Sequence, residues 1–220
     1  MKPYYQEKGI TIYHGDCREI LPTLGKVDLV LTDPPYGIGE ANGKNKSRGK
    51  LARPKDYGID KWDTETVPQS LINEIVCKSD KSIVFGGNYY SMPPSSCWIV
   101  WDKDNGDTDF ADCELAWTNL EKAVRKIRYR WNGMLQENMA NKETRYHPTQ
   151  KPLNVMTWCI SQAPKTVASI LDPFMGSGTT LVAAKNLGRQ AIGIELEEKY
   201  CEIAVRRLAQ EVLPFSTVKG

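Results

Sequence analysis

Residues 31 to 39 read LTDPPYGIG, an acid, two prolines and a tyrosine set directly after an apolar run. These residue types can do one kind of chemistry without a metal or a covalent intermediate. Asp33 supplies a carboxylate acceptor. The Pro34 carbonyl supplies a second, left free because a proline-rich turn cannot continue a strand ladder. Pro35 stiffens the turn, and Tyr36 adds an aromatic face. Two acceptors beside a ring suit an exocyclic amino group on a nucleobase. That nitrogen is a poor nucleophile because its lone pair is delocalised into the ring. Acceptors on both N–H bonds favour a pyramidal nitrogen with a localised pair. A duplex base must leave the stack to be reached, and stacking on an aromatic side chain is worth roughly 1–3 kcal/mol per base. Rate would then come from positioning and preorganised acceptors. The plainer reading of the same residues is a strand-ending turn with a core tyrosine.

A second stretch, LDPFMGSGTT, lies between an apolar run and a helical one. Gly176 and Gly178 permit close backbone approach, and the first turn of the next helix offers free N–H groups. Glu195 closes the following apolar run, where an acid grips ribose hydroxyls in nucleotide-binding α/β folds. Leu181 stands where a dinucleotide fingerprint wants its third glycine, and no GxxxxGK[ST] pattern occurs. S-adenosylmethionine fits better, because it has ribose hydroxyls and an amino-acid carboxylate but no phosphate. Asp16 either accepts from the adenine amino group or caps the helix after it.

The elements that must position these groups alternate. GITIYHGDC, KVDLVLT, KSIVFGG, CWIVW, DCELAWTN, VASILDPF and RQAIGIEL read as strands. REILPTL, TVPQSLINEIVCKS, PLNVMTWCISQA, GTTLVAAKNLG and EEKYCEIAVRRLAQEV read as helices. Continuously apolar strands between helices imply an open α/β sheet covered on both faces. Ligands bind such sheets beyond the carboxyl ends of the strands. Asp16, Asp33, Asp172 and Glu195 all fall at such ends.

The chain has 220 residues, 40% hydrophobic and 25% charged, with a net charge of +2. This composition suits one domain over 1–220. No apolar run approaches membrane-spanning length and MKPYYQEKGI lacks a signal-peptide core, so a cytoplasmic location is expected. Six scattered cysteines form no CxxC pair, so no metal site is expected. The charge is unevenly spread. Residues 42–55 hold Lys44, Lys46, Arg48, Lys50, Arg53 and Lys55 without an acid, and residues 122–130 hold Lys122, Arg125, Lys126, Arg128 and Arg130 likewise. Such runs suit a polyanion or, more plainly, a solvated loop and an exposed strand.

Taken together, the motifs resemble those of amino-group (N6-adenine/N4-cytosine) DNA methyltransferases. DPPY (Asp33–Tyr36) is similar to their catalytic motif, and DPFMGSG (Asp172–Gly178) to their cofactor motif. HPTQKP (His147–Pro152) resembles the segment that accompanies the cofactor loop. The catalytic motif comes first, which is the order of the beta group. GDC (Gly15–Cys17), FGGNYY (Phe85–Tyr90), IVWDK (Ile99–Lys103) and ADCELAW (Ala111–Trp117) look like that group's intermediate segments.

The resemblance implies a circularly permuted, Rossmann-like methyltransferase fold with a mixed, mostly parallel seven-stranded sheet and one reversed strand. It implies S-adenosyl-L-methionine as cofactor and DNA as partner. Asp33, Pro34, Pro35 and Tyr36 would handle the base. Asp16, Cys17, Thr149, Gln150, Lys151, Asp172, Pro173, Phe174, Gly176, Ser177, Gly178, Thr179 and Glu195 would hold the cofactor, with Thr149, Gln150 and Lys151 near its methionine end. A loop over 37–60, with Lys44, Lys46, Arg48, Lys50 and Arg53, would close over DNA. Arg128, Arg130 and Trp131, in a short recognition region of about 121–146, would touch phosphates or base edges. That shortness leaves three routes to recognition: short-range contacts, a second subunit in a homodimer, or relaxed specificity. Cys113 stands where relatives often place histidine.

The aspartate-led motif favours adenine N6 over cytosine N4. No Pro-Cys pair is present for cytosine C5 chemistry. Protein glutamine methyltransferases carry asparagine in place of Asp33 and the reverse motif order. Two further alternatives are a nucleic-acid-binding module without turnover and a dinucleotide-dependent oxidoreductase. Restriction-linked modification is among the settings such an enzyme serves.

Overall fold

The computed structural model describes residues 1–37, 66–106, 111–132, 135–147 and 149–210. Lys44, Lys46, Arg48, Lys50 and Arg53, and all of the expected 37–60 loop but Gly37, lie outside the described residues.

In chain order the elements are β1 (Tyr5–Glu7), β2 (Ile10–His14), α1 (Cys17–Ile20), β3 (Val27–Thr32), α2 (Gln69–Cys77), β4 (Ser79–Phe85), β5 (Trp98–Asp102), β6 (Cys113–Thr118), β7 (Arg125–Arg128), β8 (Trp131–Asn132), β9 (Leu135–Gln136), α3 (Leu153–Gln162), β10 (Ser169–Asp172), α4 (Thr179–Asn186), β11 (Gln190–Glu195) and α5 (Glu198–Ala209). The main sheet runs β1-β2-β11-β10-β3-β4-β6-β5-β7, and β8 and β9 form a separate hairpin. The expected seven strands are its interior. β1 and β7 extend it at the two edges.

Within those seven, β2, β11, β10, β3 and β4 are mutually parallel, and β6 runs against both β4 and β5. The last two strands of the chain insert between the first two strands of the seven. That interleaving is the footprint of the permuted order seen in the motifs.

β3 shows why the sheet is buried on both faces. Leu29 and Leu31 point into a cluster with Val155 and Met156 of α3, Ala184 of α4 and Leu208 of α5. Val30, between them, joins Ile20 of α1 and Leu71, Ile72 and Ile75 of α2. Successive side chains of a strand face opposite ways, so an uninterrupted apolar run demands a cover on each side. Leu29, Val30 and Leu31 are wholly buried, each contributing about 1.5–3 kcal/mol.

Two glycines have specific reasons. Gly86 takes φ +64° after β4, and a Cβ there would stand 2.4 Å from the Tyr36 ring. Gly178 caps α4 at φ +79°, and a Cβ there would meet Ala204 of α5 at 2.7 Å. No helix among the described residues is long and apolar enough to cross a membrane.

Candidate active site

The sheet order sets out a row of acids. Reading across β2, β11, β10 and β3, the residues at or just past the carboxyl ends are Asp16, Glu195, Asp172 and Asp33. All four line one cavity of about 320 Å³. Its wall also includes Cys17, Pro35, Thr149, Gln150, Lys151, Pro173, Phe174, Gly176, Ser177 and Thr179. The sheet therefore gathers almost the whole expected cofactor set, though the segments are far apart in sequence.

The four acids have different surroundings. Asp16 caps α1 by accepting from the Arg18 backbone N–H at 2.8 Å, and it pairs with the Arg18 guanidinium. That pairing holds its carboxyl below the usual range. Asp16 is thus the cap of α1, and it also lines the cavity. Glu195 accepts from the backbone N–H groups of Gly176 at 2.9 Å and Glu197 at 2.8 Å. Burial pushes it up to about 7. Asp172 accepts from Thr32 Oγ1 at 2.8 Å, Thr180 Oγ1 at 2.5 Å and the Phe174 N–H at 3.2 Å. Burial pushes it up to about 6. With three donors already in place, Asp172 braces the turn that presents Phe174.

Asp33 is different again. Its Oδ2 takes the Lys151 ammonium at 2.5 Å, and the Tyr36 hydroxyl lies 3.4 Å from Oδ1. Burial drives the Asp33 carboxyl above its ordinary value while Lys151 opposes the shift. Burial also works against the Lys151 charge, but Asp33 and Glu114 outweigh it and hold the ammonium well above its usual range. Lys151 was expected beside the methionine end of the cofactor; it lines the cavity and is also tied to Asp33.

The Pro35 carbonyl is occupied, accepting from Tyr90 Oη at 2.7 Å and the Val67 N–H at 3.3 Å. The Pro34 carbonyl accepts no hydrogen bond among the described residues. Pro34 and Tyr36 lie beside the cavity and not in its wall. Tyr36 stacks face to face on Tyr89, 4.8 Å between centroids and 6° between planes. One face of its ring is thus already covered.

Several expectations need correction. Gly178 is absent from the cavity wall, and its lack of a side chain allows the close contact of α4 with Ala204 of α5. Gln150 faces the cavity but acts as a strut. Its Oε1 accepts from Ser177 Oγ at 3.1 Å and the Tyr146 N–H at 2.9 Å, and its Nε2 donates to Glu143 Oε1 at 3.0 Å. Buried Arg207 of α5 joins this network, donating to Ser177 O at 2.8 Å and Thr179 Oγ1 at 3.0 Å. Trp131 is buried in the core beneath β8, with the Arg145 guanidinium 5.8 Å over its ring, so it cannot reach a base edge. Arg128 and Arg130 are exposed but share Asp104, at 2.8 and 2.5 Å.

Sequence reasoning passed over Glu114. It sits in β6 with Oε1 2.5 Å from Lys103 and Oε2 3.1 Å from Lys151. The second contact is at ion-pair distance without hydrogen-bond geometry, so Oε2 is buried without such a bond. The signal was an acid inside the otherwise apolar run ELAW. Cys113 drew attention instead, and it is exposed.

Residues 93–206 match the family described as DNA methylase, of the N6/N4 type. The chain belongs to the amino-group DNA methyltransferases. It is 31% identical to the type II methyltransferase M.HinfI of Haemophilus influenzae, over 93% of this chain and 69% of that protein. It is 28% identical to M2.LlaDCHI of Lactococcus lactis subsp. cremoris, over 94% and 92%. Among solved structures, M1.HpyAVI in complex with S-adenosylmethionine superposes with a TM-score of 0.57 at 26% identity, covering 91% of this chain and all of that one. The cytosine-N4-specific PvuII methyltransferase gives 0.59 at 17% identity, over 96% and 90%, which speaks to the fold alone. This is therefore an S-adenosylmethionine-dependent DNA methyltransferase on a Rossmann-like fold.

Proposed function

We propose that this methyltransferase acts on the exocyclic N6 of adenine in a flipped-out base. The observation that carries the reading is Asp33, set at the end of the acid row with one carboxylate oxygen on Lys151 and the other, among the described residues, facing the Tyr36 hydroxyl. An acceptor there, next to the Pro34 carbonyl, meets the two N–H bonds of an amino group. The aspartate in the first place of DPPY favours adenine over cytosine.

The cavity suits the cofactor. Glu195 supplies an acid for a ribose diol, Phe174 an apolar face, and Gly176 a loop backbone in the cavity wall that takes φ +51° beside the His147 ring. Asp16, Cys17, Thr149, Pro173, Ser177 and Thr179 complete the wall. When bound, S-adenosylmethionine supplies a sulfonium methyl as electrophile. The chain's own residues do the rest. Asp33 and Pro34 accept from the amino group and localise its lone pair. Tyr36, fixed by Tyr89 and by the absence of a side chain at Gly86, supports the base. Pre-formed acceptors need no reorganisation as charge develops on nitrogen.

The test is incubation with duplex DNA and methyl-labelled cofactor, followed by digestion to nucleosides. Label in N6-methyladenine is expected. Label in N4-methylcytosine overturns the base assignment.

A further inference from the structure

The described residues contain one chain of alternating buried charge that the transfer chemistry does not itself require. It runs Lys103, Glu114, Lys151, Asp33, through contacts of 2.5, 3.1 and 2.5 Å. Each member comes from a different segment: the end of β5, the start of β6, the turn before α3 and the end of β3. Lys151 is the most enclosed, with its side chain 7% exposed against 17% for Asp33 and 22% for Glu114. Its ammonium also lies 5.3 Å over the Phe85 ring.

Burying an ammonium this deeply is costly unless it is paired on more than one side. A fold that only needed Asp33 ionised could have left it open to water. Instead, one carboxylate oxygen is permanently occupied. A carboxylate held at one oxygen cannot rotate to offer its two oxygens interchangeably, so the remaining one has a fixed direction.

We propose that Lys151 is a positioning residue that clamps Asp33 by Oδ2 and presents Oδ1 alone to the target amino group, and that Glu114, anchored by Lys103, sets where Lys151 stands. This rests on the methyl-transfer reading of Asp33. Lys151 does not touch the base in this arrangement; it acts through Asp33.

The groups facing Asp33 give the pH behaviour a sign. Lys151 lowers its proton affinity, and Glu114 of β6 raises it; the Tyr36 hydroxyl lowers it. Asp172 of β10 and the Tyr90 hydroxyl beyond β4 also feel its charge. Replacing Lys151 by an uncharged chain leaves a buried carboxylate beside another acid, so Asp33 must hold its proton to higher pH. Replacing Glu114 by its amide removes the like charge and keeps the cation, so Asp33 must release its proton more readily.

The experiment measures single-turnover methyl transfer by the full chain across pH 5–9 for wild type, Lys151→Met, Lys151→Arg and Glu114→Gln, with cofactor affinity by calorimetry. In Lys151→Met the rate at pH 7 falls at least about tenfold. The acidic limb of its profile moves up by about one to three pH units, the range an adjacent cation commands. Cofactor affinity changes less than about threefold, a difference under one RT-scaled tenfold step. Lys151→Arg returns the limb toward wild type, because a cation is restored. Glu114→Gln moves the limb the opposite way, to lower pH. The proposal is overturned if the limb in Lys151→Met stays in place, if its loss lies wholly in cofactor affinity, or if Glu114→Gln moves the limb upward. Should Lys151→Met fail to fold, as circular dichroism would show, the near-isosteric Glu114→Gln decides by the sign of its displacement. Wild type that makes no N6-methyladenine would instead sink the base assignment, which is a separate result.

Discussion

Glu195 and Asp33 stand in the same row at strand ends, both buried, yet they are held by opposite means. Among the described residues Glu195 is held by backbone N–H donors, those of Gly176 and Glu197 foremost. Asp33 has a buried ammonium. Neutral dipoles do not fully offset burial, so Glu195 is pushed up to about 7 and titrates near neutrality. Burial raises Asp33 as well, but there a full opposite charge, the Lys151 ammonium, opposes the shift. Under the proposed function, the contrast separates an acid that binds from an acid that must stay charged through a reaction. A binding acid can gain its full charge when the ligand's donors arrive. A carboxylate that orients a nucleophile must be ready beforehand.

The harshest way to break this comparison is to delete the reacting acid. Asp33→Ala removes one of two acceptors on the amino group and leaves the buried Lys151 ammonium with Glu114 as its remaining charge partner. Transfer should fall by about 10²–10³-fold or more, the scale of losing one preorganised partner. Cofactor affinity should stay within a few-fold. Radiolabel transfer and calorimetry on the same sample separate the two, and an equal loss in both would mean Asp33 belongs to the cofactor site.

Next in size is the support under the base. Gly86→Ala places a methyl 2.4 Å from the Tyr36 ring in a left-handed backbone. Strain and overpacking of this kind cost about 1–3 kcal/mol each. Denaturant melts should show that loss. Transfer by the folded fraction should also drop, because the ring moves away from Asp33. A stable variant with full activity would show that Tyr36 need not be fixed.

The binding acid gives a smaller effect with a defined sign. Glu195 in the free protein is protonated below about pH 7 and charged above it. A ribose diol donates better to a carboxylate than to a carboxylic acid. Cofactor affinity should therefore rise, by about tenfold per pH unit at most, as pH climbs through that value. Glu195→Gln should flatten the dependence. Stability moves the other way. A carboxyl whose folded value is raised binds more protons folded than unfolded, so its contribution is fullest below the unfolded value near 4.5 and declines as pH rises toward about 7. Calorimetry in two buffers of different protonation enthalpy, at pH 6.5 and 8, checks both.

How much of this could be read from the chain depends on whether the signal was local. The DPPY turn was legible because its four residues are contiguous and end a buried strand. The row of acids was legible as strand ends, though only the sheet order made neighbours of Asp16, Glu195, Asp172 and Asp33. β1 was missed, since three residues at an edge leave no periodic trace. The Lys103–Glu114–Lys151 chain was not legible at all. It exists only because β6 is threaded between β4 and β5, and no spacing in the sequence announces that. Trp131 misled for the converse reason: adjacency to a basic run suggested surface, while the hairpin of β8 and β9 turns its ring inward.

The smallest effect tests whether the acid row has a true counterpart on the β7 edge. There Arg128 and Arg130 are exposed, yet both lean on Asp104, whose carboxyl they hold below the usual range. If these arginines meet DNA phosphates, they must exchange one carboxylate for another anion, which costs part of the gain. Arg128→Ala should weaken DNA binding only a few-fold, equally on any sequence, and lower the slope of log affinity against log salt by about one. Asp104→Asn should do the reverse, strengthening non-specific binding at low salt by freeing both guanidinium groups. Fluorescence anisotropy with two unrelated duplexes at several salt concentrations reads all of this. If Asp104→Asn weakens binding instead, the carboxylate is orienting the arginines toward DNA. The β7 edge would then follow the logic of Asp33 and Lys151, with one charge holding another in place, carried out at the surface where water makes it weak.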